Sequence, residues 1–166
     1  MRAAFALAAA LTLGAALTLG ACRTLPTAPP AAAPPEGAAI AGLATSLIGA
    51  PYHFGGADEA GFDCSGLARY VHEQVGVLIP RTALEQRRAA APVPLGALLP
   101  GDLVFFRLRR RHAIDHVGIY VGGGRFIHSP RAGHAVAYGD LGGGGYYARH
   151  LVSAGRFWGP APASQR

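Results

Sequence analysis

The sequence predicts an α+β domain in which helices come first and pack on an antiparallel sheet. Three observations carry that expectation: apolar residues at helical spacing between positions 40 and 90, β-rich apolar runs after position 100, and a glycine turn that folds two of those runs into a hairpin. At 166 residues the chain accommodates one domain of ordinary size with short appendages, so any chemistry belongs to a single core.

Ile40, Leu43, Ala44 and Leu47 mark one face of a first helix that Gly49-Ala50-Pro51 must end. Tyr52-His53-Phe54-Gly55-Gly56 follows as an irregular approach, its paired glycines permitting backbone positions closed to other residues. Asp63 is a good N-cap for a second helix, because Leu67, Tyr70, Val71 and Val75 recur at helical spacing until Gly76 supplies a stop. Thr82-Ala83-Leu84-Glu85 is a capping box and predicts a short third helix.

Beyond the Ala/Pro-rich residues 89–94 the texture becomes strand-like. Pro100-Gly101-Asp102 is a turn, and Leu103-Val104-Phe105-Phe106 reads as a strand buried on both faces. Val117-Gly118-Ile119-Tyr120-Val121 and Arg125-Phe126-Ile127-His128-Ser129 form a hairpin across Gly122-Gly123-Gly124. Residues 135–138 and 152–158 read as further strands, with the glycine run 142–145 as a loop between them.

The ends of the chain differ from its middle. Met1-Arg2 and the Ala/Leu-rich run through Leu19 have the charged start and apolar body of a secretory signal. Residues 1–21 are thus expected to be removed, residues 22–37 to form a Pro/Ala-rich extended tether, residues 38–160 to fold, and residues 161–166 to trail as a tail. Lys+Arg number 15 against Asp+Glu 9, and every basic residue is arginine. No basic stripe interleaved with aromatics appears, which argues against a nucleic-acid partner. Arg107-Leu108-Arg109-Arg110-Arg111 is the one cluster, read either as a solvated hairpin loop or as a contact for anionic wall polymer or lipid headgroups. Nothing in the sequence speaks to oligomeric state.

The chemistry gathers around two cysteines and seven histidines. Cys22 falls at the end of the signal, which leaves Cys64 unpaired in an oxidising compartment. Cys64 follows the cap of the second helix, where unpaired N–H groups and the helix dipole favour a thiolate, so a low-pKa nucleophile is expected; a small buried apolar residue is the plainer alternative. His116 and His128 stand at ends of the two hairpin strands that the turn brings side by side. With the helix start packed against that end of the sheet, the order becomes nucleophile, base and orienter. A zinc site is the competing chemistry, but no Cys-x-x-Cys or His-x-x-x-His spacing supports it, so neither a metal nor another cofactor is expected. His53, His72, His112, His134 and His150 read as surface or packing residues. Tyr52 either overhangs the thiol or serves as a core aromatic. Arg81 either meets a substrate carboxylate or is solvated.

The ordered set Tyr52-His53-Phe54-Gly55-Gly56, Gly61-Phe62-Asp63-Cys64-Ser65-Gly66-Leu67, Pro80-Arg81-Thr82, Pro100-Gly101-Asp102, Asp115-His116-Val117-Gly118 and Phe126-Ile127-His128 resembles the NlpC/P60 family of cell-wall cysteine peptidases, over residues 40–158. The resemblance implies a papain-like fold, Cys64 as nucleophile, His116 as base, His128 as third polar residue, and hydrolysis of peptidoglycan stem peptides, usually between D-γ-glutamate and the diamino acid. It also implies Tyr52 near the thiol, and Asp63 and Ser65 in the wall of the site, with Ser65 on the substrate amine. An amidase cutting between muramic acid and L-alanine, and a non-catalytic wall-binding lipoprotein, are the alternatives. Leu19-Gly20-Ala21-Cys22 resembles a bacterial lipoprotein box, implying a lipid on Cys22; Arg23 after it implies the outer membrane, with the domain facing the periplasm.

Overall fold

The computed structural model describes residues 35–109 and 112–159. Cys22, the signal residues and most of the expected tether lie outside them.

Helix α1 spans Pro35–Ser46, so residues 35–37 are helical rather than tether. Proline suits a first helical turn because its missing N–H has no partner there, and Glu36 complements the positive end of the dipole. Gly37 is buried: a Cβ on it would lie 2.6 Å from the Pro100 carbonyl oxygen and 2.7 Å from the Trp158 ring. Those contacts make residue 37 part of the packed domain.

A two-residue hairpin, β1 (Ala57–Asp58) and β2 (Gly61–Phe62), leads into α2 (Cys64–Glu73). Asp63 caps α2 as expected, and Gly76 takes φ +79° beyond it. Helix α3 (Ala83–Ala89) carries the complete capping box between Thr82 and Glu85.

The remaining strands are β3 (Ala91–Val93), β4 (Leu103–Phe106), β5 (His116–Gly122), β6 (Arg125–His128), β7 (Ala137–Asp140) and β8 (Leu151–Arg156), with a short helix α4 (Tyr146–His150) before the last. They form one sheet in the order β3-β8-β4-β5-β6-β7, antiparallel at every pairing. The fold is therefore α+β, as the sequence predicts.

Alternation along β4 explains why it reads as continuously apolar. Leu103 and Phe105 join Ile40, Phe62, Leu67, Val71, Val117, Ile119 and Ile127 in the core between sheet and helices. Val104 and Phe106 face the other way, into a smaller core with Phe126, closed by the partly buried Tyr147. At the mouth of β4, Asp102 is fully buried and meets Arg156 of β8 in a bidentate pair, Nε to Oδ1 at 2.6 Å and Nη2 to Oδ2 at 2.7 Å. Leu99 N–H donates to the same carboxylate at 2.8 Å, so the buried charge is satisfied.

Three features depart from the sequence expectation. Strand β3 contains Pro92, which argues against a strand, but it lies at the sheet edge, where a missing N–H costs no ladder bond. Strand β7 begins at Ala137 instead of 135, because Ala135 bridges to Pro51 and Val136 exchanges backbone bonds with Gly49 and Ala50. The loop read at 142–145 is a turn that hands directly to α4, which was not expected.

Candidate active site

Cys64 is the first residue of α2 and, among the described residues, a free thiol. Its position is fixed by the residues on either side. Asp63 Oδ1 accepts from Gly66 N–H at 2.7 Å, which caps the helix. Gly66 can only be glycine, because a Cβ there would lie 1.9 Å from the Gly56 carbonyl oxygen. The approach loop is thereby pressed onto the first turn of α2. Gln86, fully buried on α3, donates from Nε2 to the Ser65 carbonyl at 3.0 Å and to the Pro80 carbonyl at 2.8 Å, fastening α3 to the same turn.

Arg81 is ion-paired, with its side chain 31% exposed in the cleft. Its Nη2 donates to Asp63 Oδ2 at 2.7 Å, and its Nη1 donates to Asp63 Oδ1 and to Ser65 Oγ, both at 3.0 Å. Ser65 Oγ in turn donates to Asp63 Oδ1 at 3.1 Å. Burial alone would raise the Asp63 pKa, but Arg81, the Gly66 N–H and Ser65 outweigh it and hold the carboxyl below its ordinary range. The three polar residues form one charged wall beside the thiol.

The backbone N–H groups of Val117, the residue after His116, and of Ser65 and Cys64 act to lower the Cys64 pKa. These donors favour a thiolate, as expected of a helix start. Burial works against them and is the larger effect, so the thiol is pushed up to about 11. The expectation of a low-pKa resting thiol is therefore corrected.

His116 opens β5, and its Nε2 lies 2.7 Å from His128 Nδ1 on β6. Ile119 opposes Ile127 in this hairpin, so His116 and His128 make a diagonal pair near the strand ends. Both rings are buried, and burial is the main reason that His116 falls to about 3 and His128 to about 4. His128, as the second charge, depresses His116 further, while Asp115 opposes the shift. At neutral pH the resting site holds a thiol and two neutral imidazoles. His128 is wedged between aromatic rings, with Phe126 and Tyr147 each 5.0 Å away between centroids.

Tyr52, Asp63, Cys64, Ser65, Arg81 and His116 all line one cleft of about 790 Å³. Burial raises the Tyr52 pKa, and the Asp63 and Cys64 charges add to it, which puts the phenol near both groups. The cleft thus gathers every residue singled out by sequence except His128, which stands behind His116, and Cys22, which lies outside the described residues. Gln86 and Tyr147 were missed. A glutamine on the inner side of a short helix was the one available signal for Gln86, whereas Tyr147 sits in a segment read as loop.

A thiol at a helix start, sharing a cleft with a histidine that is hydrogen-bonded to a second on an antiparallel sheet, defines a class of papain-like thiol proteins. The chain belongs to the NlpC/P60 family, which it matches over residues 49–156. It is 48% identical over 117 residues to murein DD-endopeptidase MepH of Escherichia coli, covering 68% of this chain and 43% of that protein. It is 44% identical over 91 residues to the γ-D-glutamyl-L-lysine dipeptidyl-peptidase of Bacillus subtilis, covering 54% of this chain and 31% of the relative. The chain thus spans less than half the length of either relative. Among solved structures, the NlpC/p60 domain of peptidoglycan hydrolase SagA superposes with a TM-score of 0.63 at 37% identity, covering 72% of this chain and 97% of that domain.

Proposed function

We propose that the protein is a peptidoglycan hydrolase, a cysteine endopeptidase that cleaves amide bonds within stem peptides. The observation that carries this is that Cys64 and His116 line one cleft, while His128 backs His116 through the 2.7 Å contact between their rings.

Because Nε2 of His116 faces His128, Nδ1 is the ring nitrogen left to accept the thiol proton. With thiol and imidazole both neutral at rest, the proton moves to Nδ1 as sulfur attacks the carbonyl carbon. The imidazolium then donates its Nε2–H to His128 Nδ1, which fixes the ring while it carries charge. Negative charge on the tetrahedral oxygen is met by N–H groups at the start of α2. As the C–N bond breaks, the proton passes from Nδ1 to the leaving amine. Water then attacks the thioester and gives a proton to Nδ1; the C–S bond breaks, the acyl half leaves as a carboxylic acid, and the Nδ1 proton returns to sulfur to restore the thiol.

Within the stem peptide we assign the bond between D-γ-glutamate and the diamino acid, supported by the name of the Bacillus subtilis relative. The name of the Escherichia coli relative favours a second reading, a bond between two D-configured centres. Mass spectrometry of sacculi digested by the full-length protein separates these: new amino termini on the α-carbon of the diamino acid support the first, and cut cross-links with intact stems support the second. Release of whole stem peptides from glycan would move the assignment to an amidase.

The same proposal has the chain acylated on Cys22 and held at the outer membrane, facing the periplasm, on the strength of Leu19-Gly20-Ala21-Cys22 and Arg23. Labelled fatty acid should enter the wild-type protein and not Cys22→Ser; label in the variant would overturn the anchor.

A further inference from the structure

Two segments have no part in the chemistry above: the arginine-rich loop after β4 and the glycine run before α4. A second cleft, of about 470 Å³, is bordered by the start of the first and by the residues that follow the second. Arg109 comes from the first segment, Tyr146 and Tyr147 follow the second, and Arg131 and His134 come from the connection between β6 and β7. Asp115 holds the backbone at Leu108 and Arg109: its carboxylate accepts from both N–H groups, each at 2.7 Å.

His116 and His128 line this cleft, and Cys64 does not. That division has a chemical meaning. When Cys64 attacks an amide, the acyl half stays bound to sulfur in the first cleft, while the amine half departs with the proton carried by His116. The space beside the histidines and away from the sulfur is therefore on the amine side.

Among the described residues, the lining there has two arginines, three tyrosines and no carboxylate. Arg109 borders both clefts, and its charge is felt at Tyr52 as well as at His116. Arg131 donates from Nε to His134 Nε2 at 3.1 Å, and among the described residues no ion pair engages its Nη groups. Arginine presents those groups as a planar fork suited to a carboxylate.

We propose that this cleft is the leaving-group subsite, and that Arg131, with Arg109 at the junction, binds a free carboxylate of the departing amine fragment. The proposal rests on the amide hydrolysis assigned above. A fragment that begins with a diamino acid carries such a carboxylate, and the tyrosines flank its aliphatic part.

The test uses full-length protein in detergent and two muropeptides that differ only on the leaving side, one with the diamino acid carboxylate free and one with it amidated. Wild type should favour the free acid by roughly tenfold in KM, the scale of one charge-assisted hydrogen-bonded pair. Arg131→Gln should erase that preference through KM for the acid rather than through kcat, and Arg131→Lys should restore part of it. An unchanged acid-to-amide ratio in Arg131→Gln, or an equal fall of kcat on both substrates, would overturn the subsite. Should wild type cut neither peptide, the proposed function fails by itself. The subsite is then judged by calorimetric binding of the free amine fragment to wild type: selectivity for the acid over its amide upholds it, and equal binding of the two overturns it.

Discussion

His116 Nε2 lies 2.7 Å from His128 Nδ1, with the two rings at 86° to one another. An edge-on approach directs a ring N–H along the partner's lone pair, so this is a hydrogen bond and not a stacking contact. One nitrogen of His116 is thereby engaged and the other left for the thiol. The proposed division of labour rests on this contact: His116 is assigned the proton, and His128 the task of holding the ring.

Holding needs an acceptor, not a titrating group. His128→Asn and His128→Gln should therefore keep measurable turnover, while His128→Ala should lose roughly a hundredfold or more. His116→Gln should be far worse than His128→Gln. Turnover on a defined muropeptide, with circular dichroism to confirm folding, checks this; equal losses in His128→Asn and His116→Gln would give His128 a part in proton transfer.

The resting thiol should behave as a weak acid. With Cys64 pushed up to about 11 by burial and His116 down to about 3, the neutral pair dominates across the physiological range. Iodoacetamide should label Cys64 slowly at neutral pH, at a rate that keeps climbing above pH 9. A plateau reached already at mildly acidic pH would mean a standing thiolate–imidazolium pair.

Acid should destabilise the fold earlier than its carboxylates alone require. His72, His116 and His128 are all buried, with folded values of about 4, 3 and 4, below the ordinary 6.5. Between those values and 6.5 the unfolded chain binds more protons than the folded one, so stability is full above pH 6.5 and falls as pH drops through this window. Each histidine contributes a slope of about 1.4 kcal/mol per pH unit. His72 lies outside the proposed chemistry: Nδ1 donates to the Ala68 carbonyl at 2.8 Å, and Nε2 is buried with no partner among the described residues. Denaturant titrations of His72→Leu at pH 5 and pH 7 should show that slope reduced by one proton; a slope equal to wild type would contradict the assignment.

Much of the site was legible because its signals are local. Asp63 and the spacing of Leu67, Tyr70 and Val71 reveal a helix start whatever surrounds it, and the tight glycine turn pairs the strands that carry His116 and His128. What sequence does not carry is environment. The helix start at Cys64 is visible, but not the burial that reverses its effect on the thiol. Arg81 looks like any exposed arginine until Asp63 is found 18 residues away in sequence and 2.7 Å away in space. Strand β3 and helix α4 were missed because each depends on long-range context, an edge position for Pro92 and a seat against Phe106 and Phe126 for Tyr147.

Gln86 offers a test of how far the first turn of α2 depends on its neighbour. Gln86→Met keeps the volume but leaves the Ser65 and Pro80 carbonyls without their donor, which should cost about 1–3 kcal/mol of stability. Chemical denaturation measures it; a change within about 0.5 kcal/mol, the range of an ordinary surface substitution, would show that the contact contributes little.

The proposed chemistry requires Cys64 to cut an amide inside the stem peptide. The most direct measurement is liquid chromatography and mass spectrometry of one defined muropeptide incubated with wild type and with Cys64→Ala, both shown to be folded. Wild type should yield two fragments, with a new amino terminus on the diamino acid, and Cys64→Ala should yield none. Fragments formed equally by Cys64→Ala, or a peptide left whole by folded wild type, would contradict the account.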